Sequence, residues 1–186
     1  MKKKITITII CAVLSCVCLI GTTFAWLVDK TDSVTNTFTV GNVDIELTES
    51  ENLDLKMVPG NTITKDPKVT VLKNSEDCWV FVKIEESANF DTFMTYTMTT
   101  TGWTALPDVD GVYYREVAAD DEDQPFDILD GNIVTVPNTV TKANMDTLYT
   151  SGAIDTNKLP TLTFTAYAVQ QEGVDDAATA WTIANS

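Results

Sequence analysis

The sequence predicts an all-β protein, an antiparallel β-sandwich carrying one or two short helices. Three observations point there. Eight or nine short segments rich in Thr and Val alternate apolar and polar residues, the period of a strand with one buried face. Turn residues such as Pro59-Gly60, Asp110-Gly111 and Asp130-Gly131-Asn132 separate them. Helix signals are few, and strands in succession with little helix favour a sandwich over an α/β layer.

Residues 35–49 read as a long strand with a fault. Phe38 and Val40 hold the apolar parity before Gly41, and Val43, Ile45 and Leu47 hold the opposite parity after it. One face stays buried only if a bulge or bend at Gly41 absorbs a residue. Residues 53–58 read as a short strand closed by a type II turn at Pro59-Gly60. Val69 and Val71 begin the next strand. Residues 78–86 form the clearest one, with Cys78, Val80, Val82 and Ile84 on a core face. Trp79 and Phe81 lie on the other face beside Lys83 and Glu85, which calls for cover by a loop, or else by a neighbouring subunit.

Strands are also expected over residues 93–99, 103–106, 112–117, 126–129, 133–136 and 161–171. Asp110-Gly111 is the hairpin turn between two of them, and Asp130-Gly131-Asn132 between another two. Thr141 is a candidate cap for a helix with Met145, Leu148 and Tyr149 on one face, stopped near Gly152. Asp175 is the candidate cap of a second helix, through Ala177, Ala178, Ala180 and Trp181. The pattern contains neither an internal repeat nor an interior linker.

The N-terminus has the order basic, apolar, small. Lys2, Lys3 and Lys4 precede an apolar run from Ile5 to Ile20, and Thr23 and Ala25 supply small residues at −3 and −1 of a signal-peptidase site. Residues 1–25 are therefore expected to be a signal peptide, with Trp26 as the new N-terminus and residues 26–186 as one domain. Two alternatives are an uncleaved anchor, since apolar character runs on to Val28, and lipidation at Cys16. Gly21, Thr22 and Thr23 argue against the first. The apolar sequence after Cys16 argues against the second.

Cleavage leaves 161 of the 186 residues, a length that builds a core without staples. Of four cysteines only Cys78 remains, so no disulfide within the mature chain is expected. All 27 acidic residues but only nine of the 12 basic ones stay, a net charge of −18. Such a surface repels nucleic acid and anionic membranes, so neither is an expected partner; the membrane is met only through the signal peptide. It also repels copies of itself.

The sequence contains no histidine. Ser-His-Asp and Cys-His nucleophiles and the His-Glu-x-x-His zinc helix are thereby excluded. Cys78 reads as a buried structural thiol. Asp108-Val109-Asp110-Gly111 is a fragment of a calcium loop that reads better as a hairpin turn. The run Asp120-Asp121-Glu122-Asp123 reads as a solvated loop, with weak divalent binding as the alternative. No catalytic residue, metal site or cofactor is expected.

The junction Gly21-Thr22-Thr23-Phe24-Ala25-Trp26-Leu27-Val28-Asp29-Lys30, with Thr37-Phe38-Thr39-Val40-Gly41-Asn42-Val43-Asp44-Ile45 after it, resembles the SipW-dependent signal-peptide class and the TasA/camelysin-like family of secreted Gram-positive proteins. Met57-Val58-Pro59-Gly60, the strand Cys78-Trp79-Val80-Phe81-Val82-Lys83-Ile84, Gly111-Val112-Tyr113-Tyr114 and Ala166-Tyr167-Ala168-Val169-Gln170 are similar to a clostridial-type branch. The resemblance implies a jelly-roll order for the sandwich and processing by a SipW-type signal peptidase. It further implies a structural subunit or accessory of an extracellular biofilm matrix fibre that self-associates at the cell surface or beyond. The donor segment would be residues 26–39, anchored by Trp26, Val28 and Phe38, completing the sheet of the next subunit. The alternative is pairing of that segment within its own subunit. The metallopeptidase label of camelysin-like members finds no ligand set in a sequence without histidine. From another class comes the alternative of a monomeric surface binding module recognising a partner through Trp79 and Phe81.

Overall fold

The computed structural model describes residues 41–50 and 56–186. By its contacts the chain divides into two units, residues 1–39 and 40–186; the second carries the fold, and the expected signal peptide and expected donor segment lie outside the described residues.

Two antiparallel sheets form the body. The first has the order β11-β4-β6-β5, built from β4 (Cys78–Glu86), β5 (Thr104–Ala105), β6 (Val112–Val117) and β11 (Leu162–Gln170). The second has the order β1-β3-β7, from β1 (Ile45–Thr48), β3 (Lys68–Val71) and β7 (Gln124–Asp127). A short ladder of β2 (Thr62–Thr64) with β8 (Ile133–Thr135) stands beside it. β2–β3 and β7–β8 run as two interrupted partners: Thr64 faces Ile133 and Lys68 faces Asp127, so residues 65–67 oppose residues 128–132. A 3₁₀ turn, Asp130–Asn132, takes up the two extra residues, with Gly131 at φ +63°. The Asp130-Gly131-Asn132 turn is thus an interruption between successive strands along one edge, a correction to the expected hairpin.

The sheets face each other across one core. Val80, Val82 and Ile84 of β4 meet Val69 and Val71 of β3, with Trp103, Ile128, Leu129 and Val134 completing the cluster. Cys78 is also there, fully buried. The antiparallel sandwich is therefore as the alternation predicts; these pairings do not by themselves establish the jelly-roll order.

Residues 93–99 differ from the expected strand. Phe90–Phe93 closes one helical turn, α1, with both phenylalanines buried. The chain then makes only isolated bridges, Thr95 to Thr135 and Met98 to Leu129. Apolar Met94, Tyr96 and Met98 still pack against the core. The alternation is real, but pairing is spread over two partners. Residues 56–58 form no strand, whereas the turn after them forms: Asn61 N donates to Val58 O at 3.0 Å, and Gly60 takes φ +83° where a type II turn requires it.

Thr141 caps α2 (Lys142–Asp146) through a capping box with Asn144. The helix stops at Thr147 rather than at Gly152. Gly152 instead turns the hairpin of β9 (Tyr149–Thr150) and β10 (Ala153–Ile154), leaving Tyr149 exposed. The cap of α3 (Ala177–Ala184) is Asp176, one residue beyond the expected Asp175, accepting from Thr179 N. No helix among the described residues is long and apolar enough to cross a membrane.

Candidate interaction surface

α3 settles what covers the outer face of β4. Ala177, Ala180 and Trp181 seat on Trp79, Phe81, Leu106 and Val112. The Trp181 ring lies 5.4 Å from Phe81 and 5.1 Å from Tyr167, the latter edge-on. Trp79 Nε1 donates to Val174 O, at 3.3 Å, in the loop that leads to the helix. Trp79 and Phe81 are 6% and 0% exposed. Cover from within the chain is thus as expected, by a helix rather than a loop, and the alternative of a partner face at Trp79 and Phe81 is corrected by their burial. Cover comes from a helix of the same chain, because an aromatic face of this size is too costly to leave wet. Ala177, Ala180 and Trp181, spaced as one helical face, were the signal in the sequence.

The opposite situation holds where β11 and β1 meet. β11 pairs with β4 on one side, and no ladder takes its other side among the described residues. Its nine residues, Leu-Thr-Phe-Thr-Ala-Tyr-Ala-Val-Gln, carry no charge, proline or glycine. Natural edge strands are ordinarily blunted by such features. The second sheet also ends on this side, at β1, where Leu47 is 37% exposed.

Two hollows adjoin Leu162, at the start of β11. One, of about 340 Å³, is lined by Met57, Ile63, Lys65, Phe90, Met94 and Leu162, among others. Its neighbour, of about 320 Å³, is lined by Leu47, Glu49, Lys65, Leu162 and Phe164, among others. Lys65 and Leu162 belong to both. Lys65 Nζ is 2.7 Å from Glu49 Oε1 and 5.7 Å from the centroid of the Phe164 ring. Beside this pair Ser50 donates its backbone N–H and hydroxyl to Asp66, which holds the Asp66 carboxyl below its usual range.

At the far end of β11, Gly41 lies against Gln170: a methyl group on Gly41 would stand 3.0 Å from Gln170 Oε1. Trp26, Val28 and Phe38, and the cleavage residues Thr23, Ala25 and Trp26, lie outside the described residues.

Metal chemistry finds no support in the donor set. The usual zinc-peptidase centre draws on histidine, which the sequence lacks. Among the described residues no three Cys, Asp or Glu side chains are grouped to hold an ion. The acidic run serves the fold: Asp120 O accepts from Asn74 N and Asp123 Oδ1 from Lys73 N, both at 2.9 Å. Asp110-Gly111 turns the β5–β6 hairpin with Gly111 at φ +72°. Burial, then the neighbouring Asp77 charge, pushes the Cys78 thiol up to about 11. It is the state of a packing residue rather than of a nucleophile.

Fold and surface define a small antiparallel sandwich in which one edge, the uncharged β11, has no second ladder among the described residues. The family model described as camelysin metallo-endopeptidase matches residues 1–77, from the N-terminus through β3. The match spans less than half of the 186 residues, and over that stretch the chain is similar to this family. No curated protein and no solved structure matches the chain.

Proposed function

We propose that this protein is a secreted structural subunit, or accessory, of an extracellular biofilm matrix fibre, and not a protease. Assembly follows removal of the signal peptide, residues 1–25, by a SipW-type peptidase. The freed residues 26–39 of one copy then add as a strand to the next copy. One observation carries the reading: β11 offers nine uncharged residues on an edge without a ladder partner among the described residues. An extended segment placed there gains main-chain hydrogen bonds along the edge and seats alternate side chains against the sheet. Trp26, Val28 and Phe38 supply side chains of the right character.

The charge pattern suits this mechanism. At −18 the mature chains repel, which holds monomers apart until counter-ions screen them. Before cleavage the donor segment is tied to the signal peptide, so assembly waits for export. The protease reading of the family name would need a metal-binding group that the sequence does not offer in the usual form.

Electron microscopy of the mature chain beginning at Trp26, beside one lacking residues 26–32, tests the proposal. Regular fibres from the first and none from the second are expected. Monomers from both, in salt and at acid pH, would overturn it.

A further inference from the structure

Arg115 is the single arginine of a chain with 27 acidic residues, yet none of them pairs with it among the described residues. The ion pairs of the described residues all use lysine. Asp127 is taken by Lys68, at 3.4 Å. Glu116, the next residue along β6, points to the opposite face, where its carboxylate accepts from Gln171 Nε2 at 3.1 Å.

The guanidinium is instead held by neutral groups. Its carbon lies 3.5 Å from the centroid of the Phe126 ring and 5.4 Å from that of Trp103. Trp103 is itself fixed, because its Nε1 donates to Asp127 O at 2.9 Å. Gly102, at φ +76°, lies against the fork: a methyl group there would stand 2.8 Å from Nη2 and 3.2 Å from Nη1. The rings set the plane of the fork and accept none of its in-plane hydrogen bonds. The side chain is half-buried, and of its nitrogens only Nε is shut off from water without a partner. Nη1 and Nη2 keep access to solvent and donate to no group among the described residues.

We propose that Arg115 is the receptor for a carboxylate from outside its own chain, taken by the Nη1–Nη2 edge of the fork. An arginine reads a planar carboxylate through two parallel N–H donors, which lysine cannot offer. Contacts that fix the fork beforehand remove part of the ordering cost of binding. Partial burial between rings also strips water from the cation, so an in-plane acceptor gains more than at a free surface arginine. The strongly negative chain disfavours anions in general, which leaves fit to both donors as the basis of selection. Two sources supply this group: a small free carboxylate, or an Asp or Glu side chain of a second copy. The inference does not depend on strand donation.

A single arginine gives a single arginine Nε–H signal in a nitrogen–proton spectrum, so the site reports on itself. Sodium succinate, added to the isotope-labelled mature chain at constant ionic strength, should move this signal saturably, and the Trp103 indole N–H with it. Sodium chloride should leave both in place. In Arg115→Lys the Trp103 signal should no longer answer succinate.

A dilution series without succinate separates the sources. Movement of the Arg115 signal with protein concentration assigns the carboxylate to a second copy. Saturation by succinate without such movement assigns it to a free small molecule. Equal movement with chloride, or no movement with either succinate or protein concentration, would overturn the site and leave Arg115 as a packing residue. An equal Trp103 response in Arg115→Lys would also overturn it. None of these results bears on the fibre reading, which electron microscopy decides separately.

Discussion

The guanidinium of Arg115, on β6, lies 3.5 Å from the ring centroid of Phe126, on β7, and so ties the two sheets together at the side away from β11. Trp103 lies on the same cation at 5.4 Å. No carboxylate forms an ion pair with this arginine among the described residues, although the chain is strongly acidic. Its Nε is buried without a hydrogen-bond partner, and burial lowers the pKa of the group. The rings take the place of an anion, with the flat cation offering its face to each. One seam of the sandwich is thus closed by an arginine set against two rings.

Arg115→Ala should lower stability by about 2 kcal/mol, the sum of lost cation–π contact and lost packing of its stem. Arg115→Lys should recover only part, since an ammonium has no flat face to stack. Urea unfolding of the three proteins measures both. Equal stability of the Lys variant and wild type would show that charge alone matters there.

Docking of α3 depends on one aromatic. Trp181→Ala should cost about 3 kcal/mol and free the helix from the sheet, as expected for removal of a large buried ring. Amide exchange over residues 177–184 should then approach that of an exposed segment. Protection equal to wild type would contradict the role given to Trp181.

The same helix has an acid-sensitive cap. Hydrogen bonds from Thr179, first its backbone N–H and then its hydroxyl, hold Asp176 below the ordinary aspartate value of 3.8. The lowered value means that its contribution is present above that ordinary value and is lost as pH falls through the folded one. Asp176→Asn keeps a capping oxygen while removing the proton exchange. Helix protection in the Asn variant should change less between pH 5 and strongly acid conditions than in wild type, by hydrogen exchange.

Cys78 gives a window at the other end. Its thiol titrates near 11 in the fold against an ordinary 9.0, so its contribution is present below pH 9 and lost as pH rises through the folded value. Cys78→Val should flatten that part of the alkaline decline, read as the difference between two urea series. In native wild-type protein at pH 8 the thiol should resist a disulfide reagent, and react once urea unfolds the chain. Fast native reaction would contradict its burial.

Assembly itself should respond to charge. Salt, acid pH or divalent cations should each promote fibres of the mature chain by screening or neutralising carboxylates. Light scattering follows the rate, and indifference to all three would contradict a role for the −18 charge in delaying association.

By itself the sequence determined the elements whose partners are dictated by pattern. The alternation in residues 78–86 and 161–171 placed β4 and β11 within a residue or so, because a strand with one buried face writes its period into the chain. Thr141 with Asn144, and Pro59 with Gly60, acted locally and could be read locally. The absence of histidine closed off the histidine-dependent nucleophiles and the His-Glu-x-x-His zinc helix without any fold at all. Tertiary structure alone decided what lay on each face. Trp79 and Phe81 look like a docking surface until α3, almost a hundred residues later, is laid over them. Residues 94–99 alternate like a strand, yet their partners sit at two separated places, Leu129 and Thr135. That β11 has no second ladder among the described residues is invisible in sequence, since no residue states which neighbours it will have. Lys65 and Glu49 look like unrelated charges until the fold brings them to 2.7 Å. Pairing and cover depend on contacts between distant parts of the chain, and those contacts exist only once the chain has folded.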